Sequence, residues 1–532
     1  MPDNGPRSYF LLTFGCQMNE ADSQATALSL EHRGWRRAAG PESADLILIN
    51  TCTVRQKPEE KVYSQLGRYR MLKEQNPALL IGVMGCMAQK EGEALRKRAP
   101  FVDLVVGPRQ LGRIPDLVER VRAEGKPLVA VSQDMRGEPP LALIPTETLL
   151  QVKTGTREAG RQEGSHRLPA SLPSWSLAAP ASPPPRLPGP SVGLSWDDSL
   201  AAPRNGNLAP EDDLTAGFAP VGMLPSRRLK PFVSVIQGCN YRCTYCIVPL
   251  VRGREYSRPA DDVVREVRWL VDNGFREVTL LGQNILSWGN DLCPAWDFPR
   301  LLEMVSEVEG LDRIRYTSSH PREVTDRLIE AHATLPKVCE HVHLPLQAAD
   351  DTLLKRMARG HTVAYYEETI AKLRARVPGI AVTSDLIVGF PGETEAHVEN
   401  YLAGYRRLRF DQAFMFAYSP RPGTVGATLP DQIERPRQIE RLERVIAQQN
   451  AISGEVNRAL EGTAAEVLVE GPSEKDPGKL TGRTRTNKQV VFPVPPGVED
   501  EALVNELVAV RLTKGHLWGL EGELTTTVDA RR

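Results

Sequence analysis

Between Pro139 and Pro225 the chain places fifteen of its 43 prolines in 87 residues. A run such as Ala181-Ser-Pro-Pro-Pro-Arg-Leu-Pro-Gly-Pro190 has too few amide donors and too little apolar area to offset the entropy of ordering it. Residues 139–225 are therefore expected to form a disordered linker, and the folded parts must lie on either side. The 532 residues already exceed the ~100 to 200 of a usual single domain. Four regions follow: an α/β domain over 1–138, the linker, a second α/β region over 226–460, and a small β domain over 461–532.

In the first region short apolar runs at Tyr9 to Phe14, Asp45 to Asn50, Leu79 to Met84 and Val102 to Val106 alternate with polar, helix-prone stretches. That pattern describes βαβ units and a parallel sheet. The second region repeats it six times, at Phe232 to Ile236, Glu277 to Leu281, Arg313 to Thr317, His341 to Leu344, Ile380 to Val388 and Gln412 to Phe416. Six units in this length suit a partial, open (β/α)6 barrel with its chemistry at the carboxyl ends of the strands. A charged helix from Gln432 to about Leu460 leads to five short strands, the pattern of an oligonucleotide-binding barrel.

Composition excludes several classes. Lys plus Arg total 66 against 67 Asp plus Glu, a net charge of -1, so any nucleic-acid surface must be local. Eight cysteines are too sparse for a disulfide scaffold. The start MPDNGPRSYF has no secretory pattern, which leads us to expect a cytoplasmic protein. No apolar run approaches the ~18 residues of a spanning helix, so no membrane is expected.

Cys239-Asn-Tyr-Arg-Cys243-Thr-Tyr-Cys246 follows the first strand of the second region. A structural zinc would need a fourth ligand, whereas a 4Fe-4S cluster held by three thiolates keeps one iron open. Cys16, Cys52 and Cys86 each lie just past the end of an expected parallel strand, 36 and 34 residues apart. Successive βαβ units would deliver them to one sheet edge, where open α/β sheets bind ligands. Cys293 and Cys339 have no such context.

Gly238 to Cys246 followed by Ile247-Val-Pro-Leu-Val-Arg-Gly-Arg254 resembles the radical SAM methylthiotransferase family. So do Thr13-Phe-Gly-Cys-Gln-Met-Asn19, Asn50-Thr-Cys-Thr-Val-Arg55, Gly85-Cys-Met-Ala-Gln89, Leu281-Gly-Gln-Asn284, Thr317-Ser-Ser-His-Pro321, Asp385 to Glu393 and Tyr418 to Thr424. Gly482-Arg-Thr-Arg-Thr-Asn-Lys488, in a terminal barrel of TRAM type, is similar to the branch that methylthiolates N(6)-dimethylallyladenosine at position 37 of tRNA. The resemblance implies two 4Fe-4S clusters, on Cys239/Cys243/Cys246 and on Cys16/Cys52/Cys86, with S-adenosyl-L-methionine (SAM) as co-substrate. The first cluster would cleave SAM reductively to activate carbon 2 of the adenine. The second would hold sulfur, accept a methyl group and deliver the methylthio unit.

Gln283, Ser319 and Asp385 are the expected SAM contacts, and Arg252, Arg254 and Arg258 are candidates for phosphate. Lys479, Arg483, Arg485 and Lys488, four cations in ten residues without an acid, are expected to meet tRNA backbone. An external electron donor, a sulfur source and a monomeric chain complete the expectation.

Two departures stand out. The proline-rich segment replaces a connection that is usually short, and Leu346-Gln-Ala-Ala-Asp350 stands where the family has a Gln-Ser-Gly-Ser-like turn. Ala lacks the serine hydroxyl and the backbone freedom of glycine. Sister enzymes acting on threonylcarbamoyladenosine tRNA or on a ribosomal-protein aspartate would carry the same cysteines. A non-enzymatic iron-sulfur RNA-binding or electron-carrier protein would instead favour a closed Cys₄ shell.

Overall fold

The computed structural model describes residues 7–53, 56–132, 231–293, 295–476, 478–494 and 500–527. The expected linker over 139–225 lies outside the described residues.

In the first region β-branched and Leu-rich runs form strands because both of their faces find apolar cover. The strands are β1 (Ser8–Thr13), β2 (Arg36–Arg37), β3 (Leu46–Thr51), β4 (Leu80–Gly85), β5 (Leu104–Val106) and β6 (Leu128–Ala130). All pairings are parallel, in the order β2-β1-β3-β4-β5-β6. Along β3, Ile47 and Ile49 face one core while Leu46 and Leu48 face another on the opposite side. Strand order reverses between β1 and β3, and such a switch point opens a crevice at the carboxyl ends. β2 and β6 escape sequence analysis because one is a pair of arginines and the other three half-exposed residues.

The second region contributes β7 (Phe232–Ser234), β8 (Ile236–Gln237), β9 (Tyr256–Ser257), β10 (Glu277–Leu281), β11 (Arg313–Tyr316), β12 (His341–His343), β13 (Ala381–Val388) and β14 (Gln412–Ala417). β7-β10-β11 and β12-β13-β14 form two parallel three-stranded sheets. Between them Ile314 N donates to Lys337 O at 2.7 Å and Cys339 N to Ile314 O at 3.0 Å. The six strands thus run in chain order as an open arc, wrapped by helices around one apolar core. This is the expected partial barrel.

After the helix Arg435–Arg458 come β15 (Ala464–Pro472), β16 (Lys479–Thr484), β17 (Gln489–Pro493), β18 (Leu507–Gly515) and β19 (Leu520–Thr527). They close in the order β15-β16-β17-β19-β18, with β17 and β19 parallel. Val467, Val469, Leu480, Val490, Phe492 and Val508 fill the interior, as in a five-stranded oligonucleotide-binding barrel.

The small barrel sits against the amino-terminal ends of the large one's strands. Arg313, the first residue of β11, donates to Glu466 Oε1 at 2.7 Å and to Arg483 O at 2.9 Å. Arg315 donates to Thr484 O at 2.7 Å and Arg485 O at 2.8 Å.

Candidate functional site

The sequence Gly-Cys recurs at the ends of β1 and β4 and at the start of the second region's loop, and the backbone requires the glycine. At Gly85 φ is +95°, and a Cβ there would lie 2.3 Å from Asn50 Oδ1 and 2.6 Å from Thr51 O. At Gly238 φ is +82°, and a Cβ would lie 2.0 Å from Arg254 O. Each cysteine after such a turn is delivered at a fixed point against its neighbouring chain.

Cys16, Cys52 and Cys86 follow β1, β3 and β4, so the switch point carries two thiols and the next strand end the third. A buried pair of asparagines ties the first two loops together. Asn19 Nδ2 donates to Asn50 Oδ1 at 2.8 Å and Thr51 O at 3.0 Å, while Asn50 Nδ2 donates to Asn19 O at 2.8 Å. Hydrogen bonding with Cys52 pulls the Cys16 thiol down to about 6, and the Arg252 charge adds to it. Burial pushes the Cys86 thiol up.

Arg252, six residues past Cys246, reaches this triplet from the other region. Its guanidinium is buried, pairs with Asp22 at 2.6 Å and donates to Cys86 Sγ at 3.3 Å. Burial opposes its charge, but the carboxylate of Asp22 and the thiols of Cys86 and Cys16 outweigh it, so it stays protonated. Three further contacts join the two regions. Arg109 donates to Arg252 O at 3.4 Å and Arg254 O at 3.2 Å, and Thr317 Oγ1 donates to Gln17 Oε1 at 3.3 Å. Cys86 also packs with Ile247 and Val251 of the short helix after the second triplet.

Cys239, Cys243 and Cys246 occupy the loop between β8 and that helix. Burial pushes Cys239 up to about 12 and Cys246 to about 11, the latter helped by the neighbouring Cys243 charge. A second buried arginine serves this triplet: Arg359 donates to Cys243 Sγ at 3.4 Å and Pro345 O at 2.8 Å. Each triplet thus has one buried guanidinium on a sulfur. Among the described residues no three His, Cys, Asp or Glu side chains are gathered tightly enough for a single metal ion. Three soft donors per site, charge-balanced by arginine, fit a larger iron-sulfur cluster.

The SAM candidates divide. Gln283 accepts from Gly238 N at 2.5 Å, so it braces the cysteine loop. Ser319 is buried and its Oγ has no partner among the described residues. Asp385 lies on β13 with His343 Nε2 3.5 Å away. His320 and His361, which sequence analysis passed over, add buried Nε2 atoms without partners among the described residues. Burial, with Arg359 next, lowers them to about 2 and about 4 and keeps both neutral. Tyr241 of the cysteine loop stacks on His320 at 3.8 Å. Such orphaned donors and acceptors suit a ligand as polar as SAM. In the departure segment Gln347 has φ +72°, Ala348 and Ala349 are buried, and Asp350 caps the next helix.

The cationic candidates have partners within the chain. Arg252 and Arg258 do not face phosphate, because Arg252 is held by Asp22 and Arg258 by Glu266 at 2.7 Å and Ser234 O at 2.7 Å. Arg254 alone of the three is exposed. The run Lys479, Arg483, Arg485 and Lys488 is not an open cationic face either. Arg485 binds Glu340 at 2.8 Å and the carbonyls of Pro336 and Val338, Lys488 binds Asp411 at 2.7 Å, and Arg483 binds Glu470 at 3.1 Å. Lys479 meets Asp476 at 3.3 Å at the surface. Acids outside the ten residues, Glu340 and Asp411 far away in sequence and Glu470 and Asp476 just before the run, compensate its charge.

Comparison with known proteins agrees with this architecture. Residues 233–403 match the Radical SAM superfamily, 8–107 match the family described as Uncharacterized protein family UPF0004, and 458–525 match the TRAM domain. In this order they define a radical SAM enzyme with a TRAM barrel. The chain is 42% identical over 523 residues to the tRNA-2-methylthio-N(6)-dimethylallyladenosine synthase of Moorella thermoacetica, covering 97% of this chain and 98% of that protein. It is 38% identical over 528 residues to the enzyme of the same name from Burkholderia ambifaria, covering 98% of each. The chain belongs to the family of tRNA-2-methylthio-N(6)-dimethylallyladenosine synthases. The solved structure of the radical S-adenosylmethionine methyltransferase TsrM from Kitasatospora setae, with tryptophan and a SAM analog bound, covers 85% of this chain and 90% of its own at 14% identity and a TM-score of 0.49. No helix among the described residues is long and apolar enough to cross a membrane.

Proposed function

We propose that the chain methylthiolates carbon 2 of N(6)-dimethylallyladenosine at position 37 of tRNA, giving 2-methylthio-N(6)-dimethylallyladenosine. The observation that carries this reading is the packing of Cys86 against Ile247, next to Cys246, with Arg252 of the same segment on the Cys86 sulfur, together with relatives of that name over nearly the whole chain. Cys239, Cys243 and Cys246 would hold the cluster that takes SAM, and Cys16, Cys52 and Cys86 the auxiliary cluster. When bound, the clusters and SAM supply the reductive cleavage, the sulfur and the methyl group, chemistry that side-chain acids and bases cannot provide.

The residues of the chain do the rest. Gln283 fixes the start of the cysteine loop, Arg359 and Arg252 neutralise thiolate charge, and Ser319, His320 and His361 offer unspent hydrogen-bonding atoms to SAM. Asp385, on the inner wall, is available to the same ligand. Exposed Arg254 lies beside the cysteine loop, where a tRNA phosphate would pass. The domain division at 1–138, 139–225, 226–460 and 461–532 belongs to this reading, as do a cytoplasmic setting, an external electron donor and a sulfur source.

Anaerobic reconstitution with iron and sulfide, followed by SAM, dithionite and tRNA bearing dimethylallyladenosine, tests the proposal by nucleoside mass analysis. The 2-methylthio nucleoside is expected. Product only on threonylcarbamoyladenosine tRNA, or none on any tRNA, would contradict it.

A further inference from the structure

Four exposed large hydrophobic side chains lie along one route at the chemical end of the open barrel: Leu250, Phe414, Phe416 and Val425, with 51%, 45%, 37% and 57% of their surface accessible. Alternation on β14 explains the two phenylalanines. Ala413, Met415 and Ala417 turn to the core, so Phe414 and Phe416 turn the other way. The register pairs Phe414 with Asp385 and Phe416 with Ile387 on β13, and the Phe414 ring lies edge-on to His343 of β12 with centroids 6.0 Å apart. This is the inner wall of the arc. Past β14 the chain folds onto the cysteine loop, where Gly426 N donates to Thr244 O at 2.6 Å. A Cβ on Gly423 would lie 3.2 Å from Leu250 Cδ1. Val425 stands in this same loop, so Val425 and Leu250 flank the cysteine loop while the two phenylalanines line the strand that leads into that segment.

Leaving these side chains to water is unfavourable, and contiguous exposed apolar surface marks a ligand site. The occupant follows from the chemistry. Aromatic faces stack on bases, and aliphatic Leu and Val suit an alkyl chain. We infer that Phe414, Phe416, Leu250 and Val425 form the surface that receives the modified adenine and reads its prenyl tail, with the phenylalanines against the base and tail and the aliphatic pair guiding it to the clusters. This rests on the function proposed above.

The test uses the full, anaerobically reconstituted chain and two anticodon stem-loop oligonucleotides, one with N(6)-dimethylallyladenosine and one with plain adenosine. The parent is expected to bind the prenylated oligonucleotide about tenfold or more tightly, the scale on which a pocket discriminates small alkyl groups. Phe414→Ala with Phe416→Ala should shrink that ratio toward one, with a smaller loss for the plain oligonucleotide from the missing base stacking; Val425→Ser should shrink it with the plain oligonucleotide bound as by the parent, and SAM affinity should stay at the parent value in both. A preserved ratio would overturn the inference, and so would an equal loss for both oligonucleotides or a loss confined to SAM binding. If the parent makes product while the variants keep full discrimination, only this inference falls. If the parent makes none, the proposed function falls with it.

Discussion

Arg252 and Asp22 form a buried ion pair at 2.6 Å that joins the cysteine-loop region to the helix after Cys16. The same guanidinium touches Cys86 Sγ, so one side chain couples the fold of both regions to a sulfur of the first triplet. A buried pair of this kind adds little over an apolar replacement, but removing one partner strands the other charge.

Arg252→Met should therefore cost roughly 3 to 5 kcal/mol in unfolding free energy, whereas Arg252→Met with Asp22→Leu should recover most of it. Chemical denaturation of the iron-free chain reads both. The reconstituted double variant should also show an altered midpoint potential for one cluster, because a charged hydrogen bond to sulfur favours the more negative state. Unchanged potentials for both clusters would reduce Arg252 to a structural tie.

Arg485 links the terminal barrel to the base of the large one through Glu340 and two carbonyls. Arg485→Ala should loosen that docking at a cost of about 1 to 3 kcal/mol, the range for a lost charged hydrogen-bond set. Limited proteolysis between Leu460 and Thr463 should speed up, and tRNA affinity should fall no more than it does for Glu340→Gln. A large fall confined to Arg485→Ala would restore this residue as a tRNA contact.

His332 lies buried against Tyr316, with 2.6 Å between Tyr316 Oη and His332 Nε2. Burial lowers it from 6.5 to about 4. Below pH 6.5 the unfolded chain takes up a proton that the folded chain refuses, so this contribution is complete above pH 6.5 and is lost as pH falls toward 4. The loss is on the order of 3 kcal/mol at 1.36 kcal/mol per unit. His332→Gln should remove about one proton from the pH dependence of urea unfolding between pH 4.5 and 6; an unchanged slope would place the titration elsewhere.

Sequence periodicity was sufficient for β1, β3 and β4, which carry the first triplet, because they are almost wholly buried and read as continuous apolar runs. It was insufficient for β2 and β6, which are too short and too exposed to leave a pattern. Cysteine spacing located both triplets, since one βαβ unit separates successive thiols at the sheet edge. What no local window contains is the identity of a distant partner. Asp22 beside Arg252 and Glu340 beside Arg485 are such partners. Arg359 and His361 left no signal, and His320 stood only inside the motif Thr317 to Pro321 without a role, because their meaning lies in the cysteine loop that the fold brings to them.

The central claim is that the triplets hold two clusters with separate duties, and paired cysteine variants test it most directly. Iron content, SAM cleavage and methylthio product are measured on anaerobically reconstituted Cys243→Ala and Cys52→Ala. Each variant should keep roughly half the parent iron, one of two equal clusters. Cys243→Ala should lose SAM cleavage, and Cys52→Ala should retain cleavage while losing methylthiolated tRNA. Full product from Cys52→Ala, or SAM cleavage surviving in Cys243→Ala, would contradict the account.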